Sequence, residues 1–127
     1  VTFGALGDSF YEYLLKAWLQ GGKTETSYRT MYDRAMDGMT KVLLKESHPN
    51  GLTYVSDWNG HANVAKMDHL VCFLAGTLAL GAQTTDDQDR AKRDMQTAKA
   101  LAYTCYQMYA RQKTGLAPEM VLFEHGK

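Results

Sequence analysis

The stretch Gly4–Lys16, GALGDSFYEYLLK, is the most informative sequence in this chain of 127 residues. It places two carboxylates, Asp8 and Glu12, four residues apart at the predicted start of a helix. That spacing is about one helical turn, so both side chains are expected on the same helix face. Three aromatic residues surround them, namely Phe10, Tyr11 and Tyr13.

Two interpretations of this stretch are open. Paired carboxylates beside flat aromatic rings are the groups with which glycoside hydrolases carry out acid–base chemistry and hold a sugar. The same residues fit a capping box, in which Ser9 accepts a hydrogen bond from a first-turn amide and Glu12 reaches back to the cap. Asp8 near a helix start would also favour the positive end of the helix dipole. From these residues alone, helix capping is the more common explanation.

The composition argues against two classes of partner. Lys plus Arg and Asp plus Glu both number 14, so the formal net charge is zero. Without a basic excess, no general affinity for nucleic acid or for an acidic membrane surface is expected. The longest apolar run, Leu70–Ala82, is too short to cross a bilayer, and no signal peptide is visible.

Hydrophobic spacing and turn residues predict four helices and two short strands. The predicted helices cover residues 9–20, 26–47, 64–80 and 89–113, and the predicted strands cover residues 52–58 and 120–123. The order of these elements predicts an all-α chain of two αα-hairpins with short β segments.

The predicted helices alternate in character. The helices over 26–47 and 89–113 are amphipathic, whereas those over 9–20 and 64–80 are apolar nearly all round, which is typical of a helix buried on every side. An αα-barrel, with an inner and an outer ring of helices, would produce this alternation. Two hairpins cannot close a ring, so the inner helices are expected to be partly open to water.

The chain has the size of one ordinary domain, but its pattern predicts a piece of a larger one. The first residue is Val1, and no closing element is predicted for residues 124–127. We therefore expect residues 1–127 to be an internal fragment of one domain.

A second motif, KMDHLVCFL at Lys66–Leu74, lies in the third predicted helix. It would place Asp68 and His69 inside an apolar helix, where an unpaired carboxylate or imidazole costs several kcal/mol. Both side chains therefore need partners. A satisfied structural pair and a pocket filled by a hydroxylated substrate remain equally open.

Two cysteines and a proline-bounded turn complete the set of motifs. Cys72 and Cys105 match no zinc spacing, and the residues alone allow a bridge or free thiols, with free buried thiols ranked first. Residues 114–119, TGLAPE, predict a helix stop and a turn, which would leave Glu119 on the surface.

Taken in order, these four motifs resemble glycoside hydrolase family 47, the class I α1,2-mannosidases that trim N-linked glycans. The resemblance covers essentially the whole chain and implies an internal fragment of an (αα)7-barrel catalytic domain. It implies inverting hydrolysis of terminal α1,2-linked mannose on high-mannose N-glycans, by an acid of raised pKa and a base. The family's upstream Glu acid and downstream Glu base are not in the chain, so the chain alone is expected to be inactive.

The resemblance assigns roles to individual residues. Asp8 corresponds to one essential acidic residue, the acid or its relay, and Glu12 corresponds to another. His69 and Glu119 are expected to line the substrate pocket, while Asp68 varies in the family.

The resemblance also implies a disulfide between Cys72 and Cys105, because luminal family members join the same two sequence motifs. In the chain-entropy model such a loop contributes about 3–4 kcal/mol. A helix started at Asp89 would place Cys105 farther from the turn than Cys72. Either the connection is longer than residues 84–88, or the two helices are offset.

Leu6 is the expected specificity residue. Endoplasmic-reticulum-type members have Arg at this position, which would hydrogen-bond several sugars of one branch, and Golgi-type members have Leu. Leu6 therefore predicts a Golgi-like enzyme that accepts several branches. Residues 68–74, DHLVCFL, resemble the endoplasmic-reticulum group instead, so the subgroup stays open.

The remaining expectations concern cofactor, location and competing classes. The resemblance implies calcium, bound through a Thr outside this fragment with no metal ligand within it. It also implies the lumen of the Golgi or endoplasmic reticulum, with a type II membrane anchor outside the chain. The competing class is a non-catalytic mannosidase-like glycan-binding quality-control factor. A third class, a helical protein-interaction module, would not account for Asp68 and His69.

Overall fold

The computed structural model describes residues 1–123 and consists of two helical hairpins with three small sheets at one end. Residues 124–127, where no closing element is predicted, lie outside the described residues. The helices are α1 Asp8–Gln20, α2 Thr26–Gly38, α3 Phe73–Gln83 and α4 Gln88–Ala110. The strands are β1 Leu44–Glu46, β2 Thr53–Val55, β3 Asp57–Trp58, β4 Asn63–Val64, β5 Lys66–Asp68 and β6 Met120–Leu122. Strands β1–β2, β3–β4 and β5–β6 pair antiparallel. The predicted all-α class, two αα-hairpins with short β segments, is confirmed.

The start of α1 does not form the predicted capping box. The helix begins at Asp8, its N-cap is Gly7, and no side chain caps it. Ser9 therefore lies inside the helix, and Glu12 pairs with Lys16 rather than with the helix start.

The prediction of one helix over residues 26–47 is wrong at its end. α2 ends at Gly38, a single wide π-helical turn spans Met39–Leu43, and the chain then extends into β1. Leu44 lies opposite Val55 in the β1–β2 pair. Pairing with a distant strand decides this segment, and a helical spacing of apolar residues cannot report that partner.

The prediction of one helix over residues 64–80 is wrong in its first half. Residues Lys66–Asp68 form β5, and His69–Cys72 form a 3-10 turn before α3 begins. Asp68 and His69 therefore lie at a strand end and in a turn, not inside an apolar helix. Met67 is buried between two partly exposed neighbours, which is the alternation of a strand with one covered face.

Helix α3 packs against both α4 and α1, and its contact with α2 depends on a glycine. The Tyr32 ring of α2 is fully buried, and its hydroxyl donates to the carbonyl oxygen of Thr77 at 3.2 Å. Burial raises the pKa of Tyr32. A Cβ at Gly81 would lie well inside van der Waals distance of the Tyr32 hydroxyl oxygen, so this close approach requires glycine.

Charged side chains join the outer helices α2 and α4. Arg90 pairs with Asp37 at 2.8 Å, and Arg93 pairs with Asp37 at 3.0 Å and with Asp94 at 2.8 Å. The Arg90 hydrogen bond is the largest cause of the lowered pKa of Asp37. Asp94 is almost fully buried, so the two arginines offset the cost of its charge.

The inner helices α1 and α3 are partly open to water, as expected for two hairpins. Phe10 and Tyr13 of α1 and Leu80 of α3 are exposed. None of the helices within residues 1–123 combines the length and the hydropathy needed to cross a membrane.

The contact between Gly81 and Tyr32 yields a stability prediction. Gly81→Ala forces the new methyl group against a buried ring and should lower the free energy of unfolding by about 1–3 kcal/mol. Gly76→Ala is the matched control, because it lies in the same helix, is exposed, and its Cβ would contact nothing within 4 Å. That control should stabilise by about 0.5–1 kcal/mol through helix propensity. Urea denaturation measures both variants, and equal effects at the two positions would contradict the packing argument.

Candidate functional site

A tight loop carries Asp8 to the first turn of α1. The amides of Gly7 and Asp8 both donate to the carbonyl oxygen of Gly4, at 3.1 and 3.0 Å. A Cβ at Gly7 would lie 2.7 Å from the carbonyl oxygen of Thr2, and a Cβ at Gly4 would collide with the Asp68 carboxylate. Both glycines therefore allow a close approach that a side chain would block. At Gly4 this approach packs the loop against the end of β5.

Leu6 lies in this loop in a strained backbone conformation. Its φ is 74°, in the left-handed region that costs about 1–2 kcal/mol for a residue with a side chain. Its side chain is fully exposed, so no packing within residues 1–123 offsets that strain. Strain of this kind collects at ligand-binding sites.

The two predicted catalytic carboxylates, Asp8 and Glu12, lie one turn apart on α1. The Asp8 side chain is partly exposed and makes no hydrogen bond or ion pair with any residue of 1–123. Glu12 forms an ion pair with Lys16 at 2.5 Å, and this hydrogen bond raises the pKa of Lys16. Of the two, Asp8 is the carboxylate that has no partner in the described part of the chain.

The three aromatic residues around these carboxylates separate into two groups. Phe10 and Tyr13 are exposed at 55% and 62%. Tyr11 instead stacks on the buried Phe3, with ring centroids 4.0 Å apart, and burial raises its pKa. Tyr11 therefore anchors the loop, and only the other two rings are open to a ligand.

Asp68 has protein partners, which favours the structural explanation for this residue. The Lys66 ammonium lies 3.1 Å from the Asp57 carboxylate and 3.3 Å from the Asp68 carboxylate. The hydrogen bond to Asp57 is the largest cause of the raised pKa of Lys66. Asp68 thus supports the loop at Gly4 rather than facing a ligand alone.

The β5–β6 pair brings His69 and Glu119 together. The His69 amide donates to the Glu119 carbonyl oxygen at 2.8 Å. The His69 Nε2 atom lies 2.5 Å from the hydroxyl oxygen of Tyr109 on α4. Glu119 is exposed, and its carboxylate has no partner among residues 1–123. Sequence reasoning missed Tyr109, because the helical spacing of α4 gives no signal for a contact with a distant turn.

A disulfide joins Cys72 to Cys105, with the Cα atoms 5.9 Å apart. The implied pairing is confirmed, and the ranking of free buried thiols first is wrong. The connection between α3 and α4 spans only residues 84–87. The helices are therefore offset. Counted from the connection, Cys105 lies about six residues farther along its helix than Cys72, so at 1.5 Å per residue α4 extends roughly 9 Å past the end of α3.

Residues 1–123 contain no group of three or more His, Cys, Asp or Glu side chains that could hold a metal ion. The two larger clefts of the described residues are lined by none of the predicted catalytic or substrate-binding residues. An apolar cleft of about 370 Å³ between the loop and α2 is lined by Phe3 and Trp58, and a cleft of about 360 Å³ between β1 and α4 is lined by Lys45 and Thr97.

The chain matches one family model over residues 1–127, that of glycosyl hydrolase family 47. It is 50% identical over 122 residues to the endoplasmic reticulum mannosyl-oligosaccharide 1,2-alpha-mannosidase of Rattus norvegicus, covering 96% of this chain and 18% of that protein. It is 43% identical over 127 residues to the mannosyl-oligosaccharide 1,2-alpha-mannosidase IC of Homo sapiens, covering 100% of this chain and 20% of that protein.

A solved structure supports the same relationship. The alpha-1,2-mannosidase from Trichoderma reesei aligns with a TM-score of 0.82 at 25% identity, over 93% of this chain and 24% of that one. The chain thus spans about a fifth of the length of the curated relatives given above.

The contact between Gly4 and Asp68 yields a second prediction. Gly4→Ala should lower the free energy of unfolding by about 1–3 kcal/mol, because its methyl group meets the Asp68 carboxylate. In an Asp68→Ala background the same substitution should cost less, with a coupling energy of about 0.5–3 kcal/mol. A double-mutant cycle by urea denaturation measures this coupling. An equal cost of Gly4→Ala in both backgrounds would show that Asp68 does not support the loop.

Proposed function

This chain belongs to glycosyl hydrolase family 47, and on that premise we propose that the protein containing it hydrolyses terminal α1,2-linked mannose from high-mannose N-glycans with inversion. Both curated relatives described above carry the name mannosyl-oligosaccharide 1,2-alpha-mannosidase, in support of this activity. The chain spans about a fifth of their length, so the activity is that of the longer protein.

One observation carries the proposal: the Asp8 carboxylate lies at the start of α1 and has no hydrogen-bond or ion-pair partner among residues 1–123. Inverting hydrolysis needs an acid that protonates the leaving oxygen and a base that activates water on the opposite face of the sugar. We assign Asp8 the role of this acid or of its relay. Glu12, one turn away, is the second essential carboxylate, and Lys16 holds its side chain.

Three further residues are proposed to contact the sugars. His69 and Glu119 are brought together by β5–β6 and present an imidazole and a carboxylate that has no partner among residues 1–123. Leu6 projects fully exposed from the loop beside Asp8, where a branch of the glycan would meet it. The exposed rings of Phe10 and Tyr13 are suited to stacking on sugar faces.

We propose that residues 1–127 are an internal part of one (αα)7-barrel catalytic domain. The exposed apolar side chains of the inner helices support this, because further hairpins of a barrel would cover them. We propose that the full protein binds calcium through a Thr outside this chain.

We place the protein in the lumen of the secretory pathway. The name of the rat relative includes the endoplasmic reticulum, and the Cys72–Cys105 disulfide fits an oxidising compartment. Within that pathway we propose the Golgi or the endoplasmic reticulum as the compartment, and a type II membrane anchor outside this chain. A non-catalytic glycan-binding factor is less well supported, because Asp8, Glu12 and the disulfide are all present.

The role of Asp8 is tested by Asp8→Asn in the full protein. Mannose release should fall by about 10²–10⁴-fold, the usual contribution of a positioned acid or base, while folding is retained. Asp89→Asn is the matched control, because Asp89, like Asp8, is an aspartate in the first turn of a helix. Chromatographic assay of released mannose measures both variants. Near-normal turnover by Asp8→Asn would refute the assignment, whereas retained glycan binding without turnover would support it.

The role of Leu6 is tested by Leu6→Arg. Arg adds up to five donors that one glycan branch satisfies best, so the products should narrow towards removal of a single mannose. A time course of the oligosaccharides released from a high-mannose glycan by the two proteins measures this change. If the Leu6 enzyme already stops after one mannose, the Golgi-like interpretation is wrong.

A further inference from the structure

We propose that Tyr109 is a positioning residue that fixes the orientation and tautomer of His69, so that the His69 Nδ1–H group is presented to the sugar. The proposal rests on the proposed function, because His69 is placed in the sugar site there. Tyr109 lies on the outer helix α4, and no sequence motif predicts a role for it.

Two contacts hold His69: Tyr109 contacts its ring, and Glu119 accepts a hydrogen bond from its backbone amide. The ring nitrogen Nε2 lies 2.5 Å from the Tyr109 hydroxyl oxygen, and the two rings meet edge to face with centroids 5.4 Å apart. The backbone amide of His69 donates to the carbonyl oxygen of Glu119 at 2.8 Å. Both ends of the residue are therefore tied, and the ring cannot rotate without breaking the Tyr109 contact.

The disulfide holds the turn that carries His69 against the helix that carries Tyr109. Cys72 ends the 3-10 turn that begins at His69, and its bond to Cys105 fastens that turn to α4. Tyr109 follows Cys105 by four residues, so both lie on the same face of α4. The disulfide and the Tyr109 hydroxyl thus contact the same four-residue turn from one helix face.

The proposed tautomer depends on the direction of this hydrogen bond. A neutral imidazole has one nitrogen that accepts and one that carries the proton. The proposal takes the Tyr109 hydroxyl as the donor to Nε2, which places the proton on Nδ1. Nδ1 has no hydrogen-bond partner within residues 1–123, so this N–H is available to a sugar hydroxyl oxygen.

The experiment compares Tyr109→Phe with Tyr106→Phe in the full protein. Both substitutions remove one hydroxyl from a partly or fully exposed tyrosine of α4, but only the Tyr109 hydroxyl is hydrogen-bonded within residues 1–123. The first readout is the ¹⁵N NMR spectrum of the His69 ring in the free protein. We expect Nδ1–H in the unsubstituted protein and a changed Nε2 resonance in Tyr109→Phe alone. An Nε2–H tautomer in the unsubstituted protein, or an Nε2 resonance that Tyr109→Phe leaves unchanged, would overturn the proposal.

The second readout is the kinetics of hydrolysis of an α1,2-linked mannose disaccharide. Tyr109→Phe should lower kcat/KM by about 2- to 12-fold, the value of one hydrogen bond, mainly through KM, and Tyr106→Phe should not change it. In a His69→Ala background, Tyr109→Phe should have no further effect. An equal loss in both backgrounds would show that Tyr109 does not act through His69. An inactive unsubstituted protein would refute the proposed function, and the NMR readout alone would then decide the contact.

Discussion

The disulfide between Cys72 and Cys105 is the constraint on which the arrangement of β5, the turn after it and α4 depends. It fixes the first residue before α3 against the second half of α4, at a Cα separation of 5.9 Å. The turn between β5 and α3 is therefore set relative to the outer helix and not only relative to its own strand. The disulfide lies at the start of α3, one short turn after the end of β5 and far from the connection between the two helices.

Strand β5 connects this disulfide-bonded turn to the loop that carries Asp8. Asp68 ends β5, its carboxylate is paired with Lys66, and Gly4 packs directly against it. The carbonyl oxygen of Gly4 in turn accepts the first amide of α1. The close approach of Gly4 to Asp68 and this backbone hydrogen bond thus connect the disulfide-bonded hairpin to the helix that bears Asp8. An isolated two-stranded sheet is marginally stable in water, so β5–β6 relies on these packed helices for its place.

The sequence predicted the helices better than it predicted the segments between them. The extent of α1 followed from the Gly21-Gly22 stop, and the amphipathic pattern of residues 89–113 located α4 to within a few residues. Residues 44–46 and 66–68 were assigned to helices because their apolar spacing also fits a helix, whereas their strand partners lie far away in sequence. The Tyr109 contact and the strain at Leu6 arise from the same kind of distant packing, so no local pattern reports them. The pairing of the cysteines and the order of the motifs were available only through the family resemblance.

The candidate site is therefore built from loop, strand end and turn, and the helices serve to hold these pieces in place. Asp8 and Glu12 are the predicted catalytic residues whose helix was predicted, and even there the cap differs, because the N-cap is Gly7 and not Ser9. Glycine at this position has a steric cause, since a side chain would meet the Thr2 carbonyl oxygen. Had Ser9 capped the helix, Glu12 would have been drawn back to the helix start. With Gly7 as the cap, Glu12 pairs with Lys16, and the Asp8 carboxylate has no partner among residues 1–123, so it is the one left open for the acid–base chemistry proposed above.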